Sequence, residues 1–274
     1  MTIYDGYSAW NAGEYPVVLA IGDSWFWYPG NNLLESLANH PKLKDPYRHM
    51  VRLGENGALL SEYVDLPGRP GRLGQRLKDL LRRDPMQYFS VFAVSGAGND
   101  AVDYSLGLAA DCSGAASAAD CVSAEGMSAL LREVTKAMSL LLHEVLWAFE
   151  AQGRAAVVLL HGYDYAVPDG RGFALAGIPF AGPWLARAMD ARGVPQAHRQ
   201  GFVRILIDRL NAAFARYATP AAGIHFVDSR GTLDSGAGYQ NDWENELHPT
   251  PAGFDRIVDR KWMPVLRTLG IASA

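Results

Sequence analysis

Five short apolar segments alternate with segments of helical periodicity along this chain of 274 residues. The predicted strands are residues 17–21, 47–53, 88–94, 155–160 and 224–227. Residues 17–21 contain no polar side chain, which is typical of a strand covered on both faces. Alternation of this kind favours a parallel sheet with helices on both sides. No internal repeat or change in composition divides the sequence, so we predict a single α/β domain over residues 1–274 with a five-stranded parallel sheet.

Two segments depart from this alternation, and we predict that they are surface insertions. Residues 104–125 are rich in alanine, serine and glycine, and residues 166–195 carry large apolar side chains among glycines and prolines. The first insertion contains Cys112 and Cys121, the only cysteines of the chain. They are close enough in sequence to close a small disulfide loop, whereas a cytoplasmic location favours two free thiols.

Composition excludes several classes of protein. With 25 basic and 29 acidic residues the net charge is −4, and no basic run is present, so nucleic acid is not an expected partner. The first residues lack the features of a signal peptide, and the longest apolar runs are too short to cross a membrane. We therefore expect a cytoplasmic protein without a transmembrane segment. The seven histidines form no short-range ligand pair, so no metal site is predicted. The oligomeric state is left open.

Four candidate catalytic residues follow predicted strands. Ser24 comes after the first strand, Gly57 after the second, Asn99 after the third and His248 after the fifth. In a doubly wound sheet these positions meet along one edge. Acyl transfer needs a nucleophile, a base and donors for the oxyanion. Ser24 and His248 suit the first two roles, while the Ser24 and Gly57 N–H groups and the Asn99 amide suit the third.

These blocks resemble those of the SGNH hydrolases, also called the GDSL esterase and lipase family. The resemblance is carried by four short blocks, which stand in the family's order at residues 22–24, 57, 98–100 and 248–249. It covers roughly residues 17–265, without the insertions. It implies a flavodoxin-like, three-layer α/β/α fold and hydrolysis of esters, lipids or acylated sugars without a metal or other cofactor.

Three positions depart from the family pattern. The leucine expected after the serine is Trp25, and a glycine expected before Asn99 is Ala97. The acid expected three residues before the histidine is Asn245. An asparagine can orient the imidazole by accepting its hydrogen bond, but it cannot stabilise imidazolium by charge. If a carboxylate takes the role of the acid instead, the candidates are Glu244, Glu246 and Asp242. Of these, Glu246 and Asp242 are favoured.

Taken together, the residues predict a serine ester hydrolase that forms an acyl-enzyme on Ser24, with His248 as base. Aromatic residues 25–28 and the apolar part of residues 173–185 indicate a hydrophobic cleft, hence a small or lipid-like ester with an apolar acyl or aryl part. A carbohydrate O-acetylesterase is the alternative. Two readings from other classes are an inactive ligand-binding member and a dinucleotide-binding protein. The latter would use residues 96–101 with Asp120, which does not end a predicted strand.

Overall fold

A computed structural model of the chain describes residues 2–66, 69–103, 105–175 and 178–274. Met1, residues 67–68, Tyr104 at the start of the first predicted insertion and residues 176–177 of the second insertion lie outside the described residues. The strands are β1 Thr2–Asp5, β2 Val18–Gly22, β3 His49–Gly54, β4 Asp65–Leu66, β5 Arg69–Pro70, β6 Val91–Val94, β7 Val157–Gly162, β8 Phe173–Leu175, β9 Ile178–Ala181 and β10 Ile224–Asp228.

The α-helices range from single turns to the 27 residues of the longest one. They are α1 Ser8–Asn11, α2 Ser24–Trp27, α3 Leu33–Asn39, α4 Arg72–Arg82, α5 Gly98–Asp103, α6 Ala124–Glu150, α7 Leu185–Ala191, α8 Gln196–Ala215, α9 Pro251–Ile257 and α10 Met263–Thr268. A π-helical segment, Val258–Trp262, joins α9 to α10. Thr250 caps α9 and Pro251 occupies its first turn, both of which are favoured positions for these residue types.

Six parallel strands form the central sheet in the order β1-β3-β2-β6-β7-β10. The five predicted strands follow the flavodoxin-like order 2-1-3-4-5, so the predicted α/β/α class is confirmed. The strand count of five is wrong by one, because Thr2–Asp5 adds an edge strand beside β3. That strand is only four residues long and half-buried, so it lacks the apolar run that marks the inner strands.

Helices cover both faces of this sheet. On one side α3 packs against α9, and Leu34 and Leu37 of α3 line the same small cavity as Val18 of β2 and Met50 of β3. On the other side α4 packs against α6, which in turn packs against α8. All five residues of β2 are buried. Burial of β2 on both faces is why its sequence is continuously apolar.

The two predicted insertions take different forms. The first is a loop folded onto α8, in which Cys112 and Cys121 are buried free thiols. The second contains the antiparallel β8–β9 hairpin and α7. Small hairpin β4–β5 lies outside both insertions. No helix in the described part of the chain is long and apolar enough to cross a membrane.

Candidate active site

Ser24 is presented by a sharp transition from β2 to α2. The Asp23 carboxylate caps α2 by accepting the Trp25 N–H at 3.1 Å, which leaves Ser24 as the first helical residue. Gly22 does not adopt a left-handed conformation here. It is required for space instead, since a Cβ at this position would lie 2.5 Å from the Phe26 ring.

The turn that carries Ser24 is held by a buried polar cluster. Asp23 accepts hydrogen bonds from Ser95 Oγ at 3.1 Å and from Tyr163 Oη at 2.5 Å. Burial raises the pKa of Asp23, while these hydrogen bonds oppose that rise. Tyr163 also accepts the Gly98 N–H at 3.3 Å. This tyrosine therefore joins the turn that carries Ser24 to the loop before α5, so that the ends of β2, β6 and β7 form one unit.

His248 lies directly beside Ser24. Ser24 Oγ is 2.7 Å from His248 Nε2, and His248 Nδ1 is 2.9 Å from Asn245 Oδ1. Because an amide oxygen only accepts, Nδ1 carries the proton and Nε2 is free to accept the serine proton. Burial lowers the pKa of His248 to about 3. The imidazole is therefore neutral near pH 7, which is the state that a general base requires.

Asn245, and not a nearby carboxylate, is the hydrogen-bond partner of His248. The Glu246 side chain accepts four backbone N–H groups, from Gly170 and residues 184–186, and is fully buried. Asp242 pairs with Arg256 and accepts the Asp234 N–H. The preferred substitutes Glu246 and Asp242 are thus engaged in structural contacts. Glu246 fixes the start of α7 and with it Trp184, whose ring meets His248 edge-on at 5.8 Å between centroids.

The segment with Gly57 is tied to α5 by two hydrogen bonds. Asn99 Nδ2 donates to the Ala58 carbonyl at 3.1 Å, and Asp100 Oδ2 accepts the Leu60 N–H at 2.9 Å. Burial raises the pKa of Asp100 to about 6. Within the described ranges neither Ser24 N–H nor Gly57 N–H donates to a protein acceptor. These two groups and the second Asn99 amide proton are therefore available to a ligand.

Two cavities meet at Ser24. We call the first the outer cleft, which has about 220 Å³ and is lined by Ser24, Tyr28, Pro29, Asn56, Gly57, Asn99, Phe173, Ala181, Trp184, Leu247 and His248. We call the second the inner pocket, which has about 50 Å³ and is lined by Asp23, Ser24, Trp25, Gly98, Asn99, Ala101, Leu106, Tyr163, Asp164, Ala166, Leu185, Val203, Leu206, Ile207, Leu210 and Leu247. All four residues that the sequence singled out therefore face one opening.

The aromatic run after Ser24 divides between these cavities and the core. Tyr28 lines the outer cleft and Trp25 lines the inner pocket, where its Nε1 donates to the Leu247 carbonyl at 3.0 Å. Phe26 is fully buried, and Trp27 lies under the Arg52 guanidinium. Of the aromatic residues 25–28, which the sequence assigns to a hydrophobic cleft, Trp25 and Tyr28 line two different cavities and Phe26 and Trp27 line neither. Successive residues of a helix point in different directions, so one turn cannot place all four on one side.

Sequence reasoning missed the contacts that Tyr163 and Tyr28 make at the site. Tyr163 follows β7 directly, and this position at the carboxyl end of a central strand could have marked it. Tyr28 Oη donates to Glu244 Oε1 at 3.0 Å and accepts a hydrogen bond from Asn245 Nδ2 at 3.0 Å, and no local pattern reveals partners more than two hundred positions away. Asp120 lies in a 3₁₀ turn and accepts the Ser117 N–H, so the acidic residue of the dinucleotide reading does not end a strand. No group of three metal-ligating side chains is present among the described residues.

Comparison with solved structures identifies proteins of similar fold. A protein from Streptococcus pneumonia assigned as a platelet activating factor matches with TM-score 0.51 and 15% identity over 93% of this chain and 83% of that chain. A protein from Bacteroides ovatus assigned as a GDSL-like lipase matches with TM-score 0.50 and 12% identity over 93% of this chain, which spans 54% of that chain. This chain has the SGNH-hydrolase fold.

A carbohydrate acetylesterase from Sinorhizobium meliloti also matches, with TM-score 0.48 and 15% identity over 93% of this chain and 98% of that chain. No protein-family model and no curated protein sequence matches the chain. At these identities the likeness establishes the SGNH-hydrolase fold and no more. Activity has to be inferred from the site itself.

Proposed function

We propose that this protein is a serine ester hydrolase with Ser24 as nucleophile, His248 as general base and Asn245 as the residue that orients the base. The observation that carries the proposal is the hydrogen-bonded series from Ser24 Oγ through both imidazole nitrogens to Asn245 Oδ1. This arrangement fulfils the geometric criterion for an activated nucleophile, in which the base is itself oriented by a third group. The neutral imidazole accepts the serine proton at neutral pH.

The reaction then follows from where each atom lies. Ser24 Oγ attacks the ester carbonyl carbon while its proton passes to His248 Nε2. The N–H groups of Ser24 and Gly57 and the Asn99 amide stabilise the negative oxygen of the tetrahedral intermediate. Its collapse breaks the bond to the alcohol, which takes the proton from His248 and leaves an acyl-enzyme. Water attacks the acyl group by the same sequence of proton transfers and regenerates Ser24.

The two cavities separate the two halves of the substrate. The leaving alcohol must lie beside His248, because this residue supplies its proton, and His248 lines the outer cleft and not the inner pocket. The acyl chain therefore occupies the inner pocket, where seven of the sixteen lining residues are leucine, valine or isoleucine. The outer cleft accepts an alcohol or aryl group against the rings of Tyr28, Phe173 and Trp184. The substrate class is an ester with a short apolar acyl group.

Replacement of the nucleophile tests the proposal. Ser24→Ala should lower kcat for nitrophenyl ester hydrolysis by about 10³-fold or more, since the serine is the only group that attacks the carbonyl. The matched control is Ser36→Ala, which removes a buried serine hydroxyl from α3 outside both cavities. The proposal would be refuted if the wild-type chain hydrolyses the ester and Ser24→Ala retains this activity. A folded wild-type chain without hydrolysis would favour a ligand-binding protein.

A further inference from the structure

Asn245 is 1% exposed, so every polar atom of its amide needs a partner. Its Oδ1 accepts three hydrogen bonds, from His248 Nδ1 at 2.9 Å and from the N–H groups of Leu247 and His248 at 3.0 Å each. These donors fix which end of the amide faces the imidazole. Its Nδ2 donates to Tyr28 Oη at 3.0 Å. The far end of the amide therefore depends on a tyrosine from the turn after Ser24.

Tyr28 continues the series to a carboxylate. Its hydroxyl donates to Glu244 Oε1 at 3.0 Å. A hydroxyl has one proton, so donation to Glu244 leaves an oxygen lone pair for Asn245 Nδ2. Burial raises the pKa of Tyr28, with a further contribution from Glu244, so the hydroxyl remains protonated. The Tyr28 ring also stacks on the His248 imidazole, with centroids 4.1 Å apart and an interplanar angle of 17°.

We propose that Tyr28 and Glu244 are positioning residues. Through the Asn245 amide they link His248 to the negative charge of Glu244, a charge that the asparagine itself lacks. This inference rests on the proposed esterase function. Each hydrogen bond in a series polarises the next, so Glu244 makes Tyr28 Oη a better acceptor and, in turn, Asn245 Oδ1 a better acceptor for His248. Glu244 is exposed and stays hydrated, which avoids the cost of burying a charge beside the catalytic base.

Variants of the two positioning residues give the first test. Tyr28→Phe keeps the ring on His248 but leaves Asn245 Nδ2 without its acceptor, and should lower kcat about tenfold with little change in KM. Glu244→Gln keeps an acceptor for the hydroxyl but removes the charge, and should lower kcat about threefold. Tyr165→Phe is the matched control, because its hydroxyl bonds Asp208 at 2.8 Å outside the catalytic series.

Variants made in an Asn245→Asp background distinguish an effect of the Glu244 charge from a merely structural role. In that background a carboxylate replaces the amide of residue 245, so that it and Glu244 both face the single hydroxyl proton of Tyr28. Glu244→Gln should then leave kcat unchanged or raise it, the opposite of its effect beside Asn245. An equal loss in both backgrounds would overturn the inference, as would activity within twofold of wild type for Tyr28→Phe and Glu244→Gln while Ser24→Ala is inactive. Retained hydrolysis in Ser24→Ala would overturn the proposed function and this inference with it.

Discussion

The size of the inner pocket predicts how the rate depends on acyl-chain length. Its volume is about 50 Å³. A water-sized group needs roughly 10–15 Å³, so the pocket holds about four methyl or methylene groups. An acetyl group places one carbon there, and butanoyl and pentanoyl groups place three and four. Butyrate and valerate esters should therefore fill the pocket, whereas octanoate exceeds it.

The expected gain follows from the apolar surface that each methylene buries. Removal of one methylene from water contributes about 0.8 kcal/mol, which is roughly a fourfold change in an equilibrium or rate constant. Two added methylenes should therefore raise kcat/KM by about tenfold to fifteenfold from acetate to butyrate. Beyond valerate the value should stop rising and then fall. A series of nitrophenyl esters from acetate to octanoate, measured by nitrophenol release, gives this profile.

A variant that fills the pocket provides the control. Val203 is 1% exposed and lines the inner pocket from α8, away from Ser24 in sequence. Val203→Phe should remove the preference for butyrate while the rate on acetate stays within about threefold of wild type. Thermal unfolding of the variant checks that the fold is intact. A kcat/KM that is highest for acetate in the wild type and falls steadily with length would refute this assignment and favour an O-acetylesterase.

Three further results are expected. Asn99→Ala should keep its fold and lower kcat by about 10²–10³-fold, and a change within about threefold would remove Asn99 from the oxyanion site. Since burial lowers the pKa of His248 to about 3, kcat/KM in brief assays should stay flat from pH 8 to about pH 5. Asn245→Asp adds a carboxylate at Nδ1 and should move the acid limb to higher pH; an acid limb near pH 6.5 in the wild type contradicts this. Burial likewise lowers the pKa of His161 to about 3, so between about pH 6.5 and 3 only the unfolded chain binds this proton, and stability falls as pH falls. His161→Phe should reduce the loss of unfolding free energy between pH 7 and 5 by about 2 kcal/mol in urea titrations, and an unchanged loss would refute it.

Local sequence patterns predicted the parts of the site that sit at strand ends. Ser24, Gly57, Asn99 and His248 each follow a recognisable strand or precede a capped helix, and the parallel topology brings them together. The partner of Asn245 could not be predicted in this way, because Tyr28 reaches it across 217 positions of sequence. The cytoplasmic location stays a prediction.

Packing between distant elements explains the remaining differences. The inner pocket combines side chains of α5, α7 and α8, whose own periodicity predicts only that they are buried. The edge strand Thr2–Asp5 was missed because it is stabilised by pairing with β3 and not by an apolar run of its own. In both cases the decisive contacts join elements that are distant in sequence.

Reaction of the folded protein with a fluorophosphonate tests most directly whether Ser24 is an activated nucleophile. After incubation at pH 7, proteolysis and peptide mass mapping should find one phosphonyl group on the peptide that contains Ser24. The wild-type chain and Ser36→Ala should label equally, and Ser24→Ala should not label. Modification of a different residue, or no modification of a folded and ester-hydrolysing protein, would contradict the account.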